Sequence, residues 1–133
     1  MPGKRENATI SAMPFSVVIV DDHPGFRARA RALLGAAGYL VVGEAADGES
    51  GMRVTSDLSP DVVLLDIQLP DITGFEVARQ IRDWPEPPVV ILISSRDAVD
   101  YGGRIVRCGA QGFIAKADLS GRALGVLIEA AAR

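Results

Sequence analysis

Histidine and cysteine are almost missing from this chain, which has one of each, His23 and Cys108. A lone thiol cannot close an internal disulfide, and one Cys/His pair cannot build a zinc cluster. Long apolar runs are missing too. None approaches the roughly 18 residues of a membrane span, and the N-terminus has no apolar signal-peptide core. Positive charge is not in excess: the net charge is −3, whereas a phosphate backbone calls for a basic stripe. Arg27, Arg29 and Arg31 form a local basic cluster that reads as a solvated helix face. These absences exclude a disulfide scaffold and a zinc module, argue against membrane and nucleic-acid surfaces, and point to a reducing, cytoplasmic setting.

What is present suits one soluble domain. A chain of 133 residues, 48% hydrophobic and 23% charged, can bury a single core without covalent or metal staples. Residues 1–14 mix Pro, Gly, charge and small side chains without period and are expected to be a flexible tail, with Met13 a plausible start of the folded unit. Residues 15–133 are expected to form the domain.

From Ser16 onward, short apolar runs alternate with amphipathic segments. The runs SVVIV (16–20), YLVV (39–42), DVVLL (61–65), VVILI (89–93) and GFIA (112–115) suit strands covered on both faces, as in a parallel sheet. Between them, Phe26, Ala30, Leu33, Leu34 and Ala37 share one helical face that Gly38 can end. Asp47 can cap a second helix that stops before Pro60. Thr73 and Glu76 stand at capping-box spacing before a third helix that turns Phe75, Ala78 and Ile81 inward. WPEPP (84–88) breaks the chain before the fourth strand. A fourth helix is expected over roughly 98–108, softened by the adjacent Gly102 and Gly103. Asp118 can cap a fifth, with Leu124, Leu127, Ile128 and Ala131 on one face. The pattern predicts an α/β fold: a (βα)5 doubly wound, five-stranded parallel sheet of flavodoxin-like form, with right-handed crossovers.

In such sheets ligands bind outside the carboxyl ends of the strands. The first strand ends in Asp21 and Asp22, the third in Asp66, the fourth in Ser94 and Ser95, and the fifth in Lys116. Asp66 closes an apolar strand, where an ionised carboxylate needs partners. Three convergent carboxylates repel and call for a hard divalent cation such as Mg²⁺. A cation, a lysine and a hydroxyl around one carboxylate suit the charged oxygens of a transferring phosphoryl group, with Asp66 as the nucleophile.

The segments DDHPGFRARARALL, VVLLDIQLPDITGFEVARQIR, VVILISSRD and GAQGFIAK, in this order, resemble the receiver domain of bacterial two-component response regulators. DDHP, GEAADG and the absence of proline after Lys116 look most like the NarL/FixJ subfamily. The resemblance implies that Asp66 accepts a phosphoryl group from a sensor histidine kinase. It implies a Mg²⁺ site of Asp21, Asp22, Asp66 and the Gln68 backbone carbonyl, with Lys116 on the phosphoryl oxygens. Ser94, 28 residues after Asp66, matches the switch hydroxyl, commonly threonine, and the Ser95 amide faces the same oxygens. Phe113 falls at the aromatic switch position or is plain core. Gln68 and Arg96 occupy positions that tune dephosphorylation, and His23 reads as a turn residue.

Such a protein is a conformational switch rather than an enzyme, apart from self-phosphorylation from a phosphodonor and autodephosphorylation. Its output face would be the fourth helix, fifth strand and fifth helix, which could also join two copies. Seventeen residues follow Lys116, whereas a helix-turn-helix module needs on the order of three helices. The chain is therefore expected not to bind DNA itself, and to be an excised domain or a stand-alone receiver acting on transcription through a domain absent here. Three rivals are weaker. A haloacid dehalogenase-like phosphatase wants an acid where Gln68 stands. A phosphorylation-independent pseudo-receiver sits poorly with an intact residue set. A nucleotide-binding flavodoxin-like domain would want glycine amides where the first loop is acidic.

Overall fold

A computed structural model describes residues 14–132. The expected tail lies outside them except for Pro14, as does the proposed start at Met13. Five strands, β1 (Ser16–Val20), β2 (Leu40–Ala45), β3 (Val62–Asp66), β4 (Val89–Ser94) and β5 (Gly112–Ala115), form one parallel sheet in the order β2-β1-β3-β4-β5. The helices are α1 (Pro24–Ala36), α2 (Gly48–Leu58), α3 (Gly74–Arg82), a one-turn α4 (Arg104–Arg107) and α5 (Gly121–Ala131). The α/β fold is the doubly wound one expected.

Strand alternation divides the core into two layers. Val17, Ile19, Val62, Leu64, Ile91 and Ile93 pack with Phe26, Ala30 and Leu34 of α1 and Leu124 and Ile128 of α5. Val18, Val20, Val63, Leu65, Val90 and Leu92 face the other way, onto Phe75, Ala78 and Ile81 of α3. The central strands are thus apolar on both faces because both faces are covered. β2 is different. It runs three residues past the apolar stretch and lies at the sheet edge, where Leu40 and Val42 are exposed. Ala37 and Ala131, expected on buried faces, are exposed because each lies at the end of its helix.

Local signals set most boundaries. Pro24 opens α1, and Gly38 follows its end at φ 97°. The Asp47 carboxylate accepts from the Ser50 amide to cap α2, and Thr73 Oγ1 accepts from the Glu76 amide to cap α3. The Glu76 carboxylate turns outward to Arg79 and Gln80 rather than completing a capping box. Two expectations need correction. Asp118 does not cap α5, because Lys116–Asp118 form a 3-10 turn and the extended Ser120 takes the role, accepting from the Ala123 amide at 2.9 Å. The fourth helix is split: a 3-10 turn, Ala98–Tyr101, is separated from α4 by Gly102, whose φ of 58° no α-helix can contain.

Candidate functional site

The strand order reverses between β1 and β3, and their register pairs Val20 with Leu65. The next residue of each strand, Asp21 and Asp66, therefore meets its counterpart at the carboxyl edge, in the crevice where doubly wound sheets bind ligands. Asp21 is fully buried and Asp66 is 2% exposed. Behind the β3 end, α3 comes so close that a Cβ on Gly74 would strike the Asp66 carbonyl and Ile67 Cα. Glycine there lets the helix seat against the loop.

Lys116, at the end of β5, reaches across to both carboxylates. Its Nζ lies 2.6 Å from Asp21 Oδ2 and 3.4 Å from Asp66 Oδ2, and 4.7 Å from the Phe26 ring centroid. Asp66 Oδ1 accepts from the Gln68 amide at 3.2 Å. These contacts do not cancel the cost of burial. Desolvation, followed by the neighbouring Asp21 charge, pushes the Asp66 carboxyl up to about 6, against the pull of Lys116 and the Gln68 amide.

One ammonium among three carboxylates leaves negative charge over. Asp22 is half-buried, and His23 Nδ1 lies 3.1 Å from Asp21 Oδ1 and 3.3 Å from Asp22 Oδ1. Asp21 Oδ2 and Asp22 Oδ1 are buried oxygens with no hydrogen bond; the contact from Lys116 to Asp21 is an ion pair outside hydrogen-bond geometry. One ligand atom from each of Asp21, Asp22, His23 and Asp66 falls within 4.8 Å of the others. Buried carboxylate oxygens outside any hydrogen bond among the described residues, in a cluster whose negative charge exceeds its positive, are what an oxygen-seeking divalent cation would satisfy. The residues fit a metal ion.

Ser94 is buried beside this cleft, but its hydroxyl is engaged elsewhere. Its Oγ is 2.6 Å from the Tyr101 hydroxyl and accepts from the Arg96 amide at 3.0 Å. Ser95 and Gln68 are exposed, and Phe113 is half-buried, 6.2 Å between centroids from Tyr101. Asp21, Asp22, Asp66 and Lys116 thus converge, while Ser94 and Phe113 meet at Tyr101.

Sequence reasoning missed three supports. Arg27 donates to the Asp21 carbonyl at 2.6 Å and to Glu44, which also holds Arg31, so part of the basic cluster is paired rather than merely solvated. Asp71 accepts from the Gly48 and Glu49 amides, tying the loop after β3 to the start of α2. Tyr101 is the third. Their partners lie on other elements, which no local spacing in the sequence reveals.

A family model described as the response regulator receiver domain matches residues 17–123. Transcriptional regulatory protein YdfI of Bacillus subtilis is 33% identical over 119 residues, 88% of this chain and 54% of that protein. Fimbriae Z protein of Salmonella typhimurium is 35% identical over 104 residues, 77% and 50%. The solved signal receiver domain of NarL from Mycobacterium tuberculosis superposes with a TM-score of 0.79 at 34% identity, covering 87% of this chain and 97% of that one. The chain spans about half the length of the curated relatives it matches. A family match across most of the folded residues, with an acidic crevice at the switch point of the sheet, assigns this chain to the response regulator receiver domain family.

Proposed function

We propose that residues 15–133 act as a phosphoryl-accepting switch, with residues 1–14 outside the unit and Asp66 as the acceptor. The observation that carries this is the buried Asp66 carboxylate, contacted by Lys116 and set beside Asp21, with Asp21 and Asp22 oxygens nearby that make no hydrogen bond among the described residues. An ionised Asp66 oxygen forms a bond to phosphorus as the bond from phosphorus to the donor histidine nitrogen of a sensor kinase breaks, the electron pair leaving with that nitrogen. Asp21, Asp22, Asp66 and the Gln68 carbonyl are the residues we assign to Mg²⁺, which when bound neutralises charge on the transferring group. His23, whose ring nitrogen faces two of these carboxylates, orients them. Lys116 balances the phosphoryl charge from the other side, and the Ser95 amide and Ser94 hydroxyl offer donors to its oxygens.

The product is an aspartyl phosphate, a stored signal rather than a released molecule. We infer that Ser94 and Phe113 transmit it to the face of α4, β5 and α5, where Val106 of α4 and Val126 of α5 are exposed, with Val99 of the preceding 3-10 turn exposed as well. That face is the proposed contact for a second copy or for an output domain, through which a regulator of the YdfI or NarL kind would act on transcription from the cytoplasm without DNA binding by these residues. Among the described residues no helix is long and apolar enough to cross a membrane. The test is intact mass after incubation with Mg²⁺ and phosphoramidate. One added phosphoryl group on the wild type and none on Asp66→Asn is expected; no addition to either overturns the assignment.

A further inference from the structure

Ser94 and Tyr101 are joined by a hydrogen bond that the receiver chemistry leaves unexplained. Ser94 is fully buried at the end of β4. Its oxygen accepts from the Arg96 amide and shares a 2.6 Å hydrogen bond with the Tyr101 hydroxyl, in which either group can donate. Among the described residues, the hydrogen bonds to the Asp66 carboxylate come from Gln68 and Lys116, not from Ser94.

Tyr101 is wedged as well as bonded. It closes the 3-10 turn Ala98–Tyr101, and its ring stands edge-on to Phe75 at 5.6 Å and tilted against Phe113 at 6.2 Å. The far end of the same cluster is held by Arg104, whose guanidinium lies 4.3 Å over the Phe75 ring. Immediately after Tyr101, Gly102 breaks the helical path. The side chain that engages Ser94 therefore sits on a short turn with a backbone joint behind it.

We propose that Tyr101 is a positioning residue that latches the Ser94 hydroxyl in the resting protein, so that signalling at Asp66 proceeds by exchange of this hydrogen bond for one to the phosphoryl oxygens. The proposal rests on the reading of Asp66 as the acceptor. A buried hydroxyl needs a partner in each state. Tyr101 supplies it when Asp66 is bare; a phosphoryl oxygen supplies it afterwards. Whatever the latch contributes to the resting state alone is subtracted from the switched one. Once Ser94 lets go, the Tyr101 ring loses the hydrogen bond that anchors it, and the space it holds beside Phe113 becomes available. The turn and α4 are thereby coupled to the chemistry through one phenol oxygen.

The experiment is a double-mutant cycle on Tyr101→Phe and Ser94→Ala. The phenylalanine keeps the ring between Phe75 and Phe113 and deletes only the hydroxyl. Apparent affinity for beryllofluoride, an acyl-phosphate mimic, is measured by fluorine NMR in Mg²⁺ for the wild type, both single variants and the double variant. Tyr101→Phe is expected to bind roughly two- to tenfold more tightly than wild type, the range for one hydrogen bond of ordinary net strength. The gain should vanish when Ser94 is already alanine. Equal affinity of Tyr101→Phe and wild type overturns the latch, as does an equal gain in the Ser94→Ala background, which a mere packing effect would give. If the wild type binds no beryllofluoride and takes no phosphoryl group from phosphoramidate, the acceptor reading itself fails and the latch falls with it.

Discussion

At the scale of single residues, Asp66 is held in a site that disfavours its charge. Its pKa is pushed up to about 6 by burial first and by Asp21 second. A carboxyl raised in this way contributes stability at pH below its unfolded value, about 4, and loses it as pH rises through about 6. In metal-free protein, Asp66→Asn should therefore be more stable than wild type by about 1–3 kcal/mol near pH 7, with the gain shrinking toward zero near about pH 4. Urea unfolding of both proteins at the two pH values measures this; a loss at neutral pH would mean that Lys116 more than offsets desolvation. The same shift makes Mg²⁺ compete with a proton. Apparent Mg²⁺ affinity should fall about tenfold from about pH 7.5 to about pH 5, as isothermal titration can follow. The convergence of Asp21, Asp22, Asp66 and Lys116 was legible in the sequence because four charged side chains at the ends of three apolar strands fall on one sheet edge; Ser94 was legible as a strand-end hydroxyl, but its bond to Tyr101 was not. Tyr101, Arg27 and Asp71 were not, since each acts through a partner on a different element that no local spacing reveals.

At the scale of elements, the fourth crossover is the weak one. It contains a 3-10 turn and four helical residues, with Gly102 between them. Amides of residues 99–108 should exchange with solvent faster than those of residues 30–34 in α1, where Ala30 and Leu34 are buried; slower exchange in the former would contradict a soft crossover. Gly102→Ala should cost about 1–2 kcal/mol, because its φ of 58° with ψ of −135° is foreign to a residue with a Cβ. Ser120→Ala should cost about 1 kcal/mol through the lost α5 cap, seen as a lower urea midpoint with an unchanged slope. The glycine pair marked this helix as soft, but the expected continuous helix over roughly 98–108 is instead two short turns. The cap was misread because Asp118 and Ser120 both favour caps, and only the 3-10 turn after β5 decides which is extended.

At the scale of the whole molecule, the five-fold alternation of apolar run and amphipathic helix was enough to give the sheet and its two covered faces. Strand extents were less legible: β2 continues through Gly43 and Glu44, which composition alone makes poor strand residues. At Gly43, α2 packs so closely that a Cβ would lie 2.7 Å from Leu58 Cδ1 and 3.0 Å from Val54 Cγ1. The net charge of the cleft gives a global prediction. Mg²⁺ that binds only the folded protein should stabilise it by about 3–4 kcal/mol at 100 to 1,000 times its Kd, and NaCl of equal ionic strength should not reproduce the rise in Tm. An identical effect of the two salts would reduce the acidic cluster to diffuse charge.

The walls of the acidic crevice differ in stiffness. On one side, desolvation pushes the exposed Asp71 carboxyl up, yet the Gly48 and Glu49 amides prevail and hold it below its ordinary range, so the loop after β3 is tied to α2. On the other side, the loop after β4 leads into the broken crossover at Gly102. A strain set up at the β3 end by the proposed phosphorylation would therefore be taken up on the β4 side, where the backbone joint at Gly102 lies.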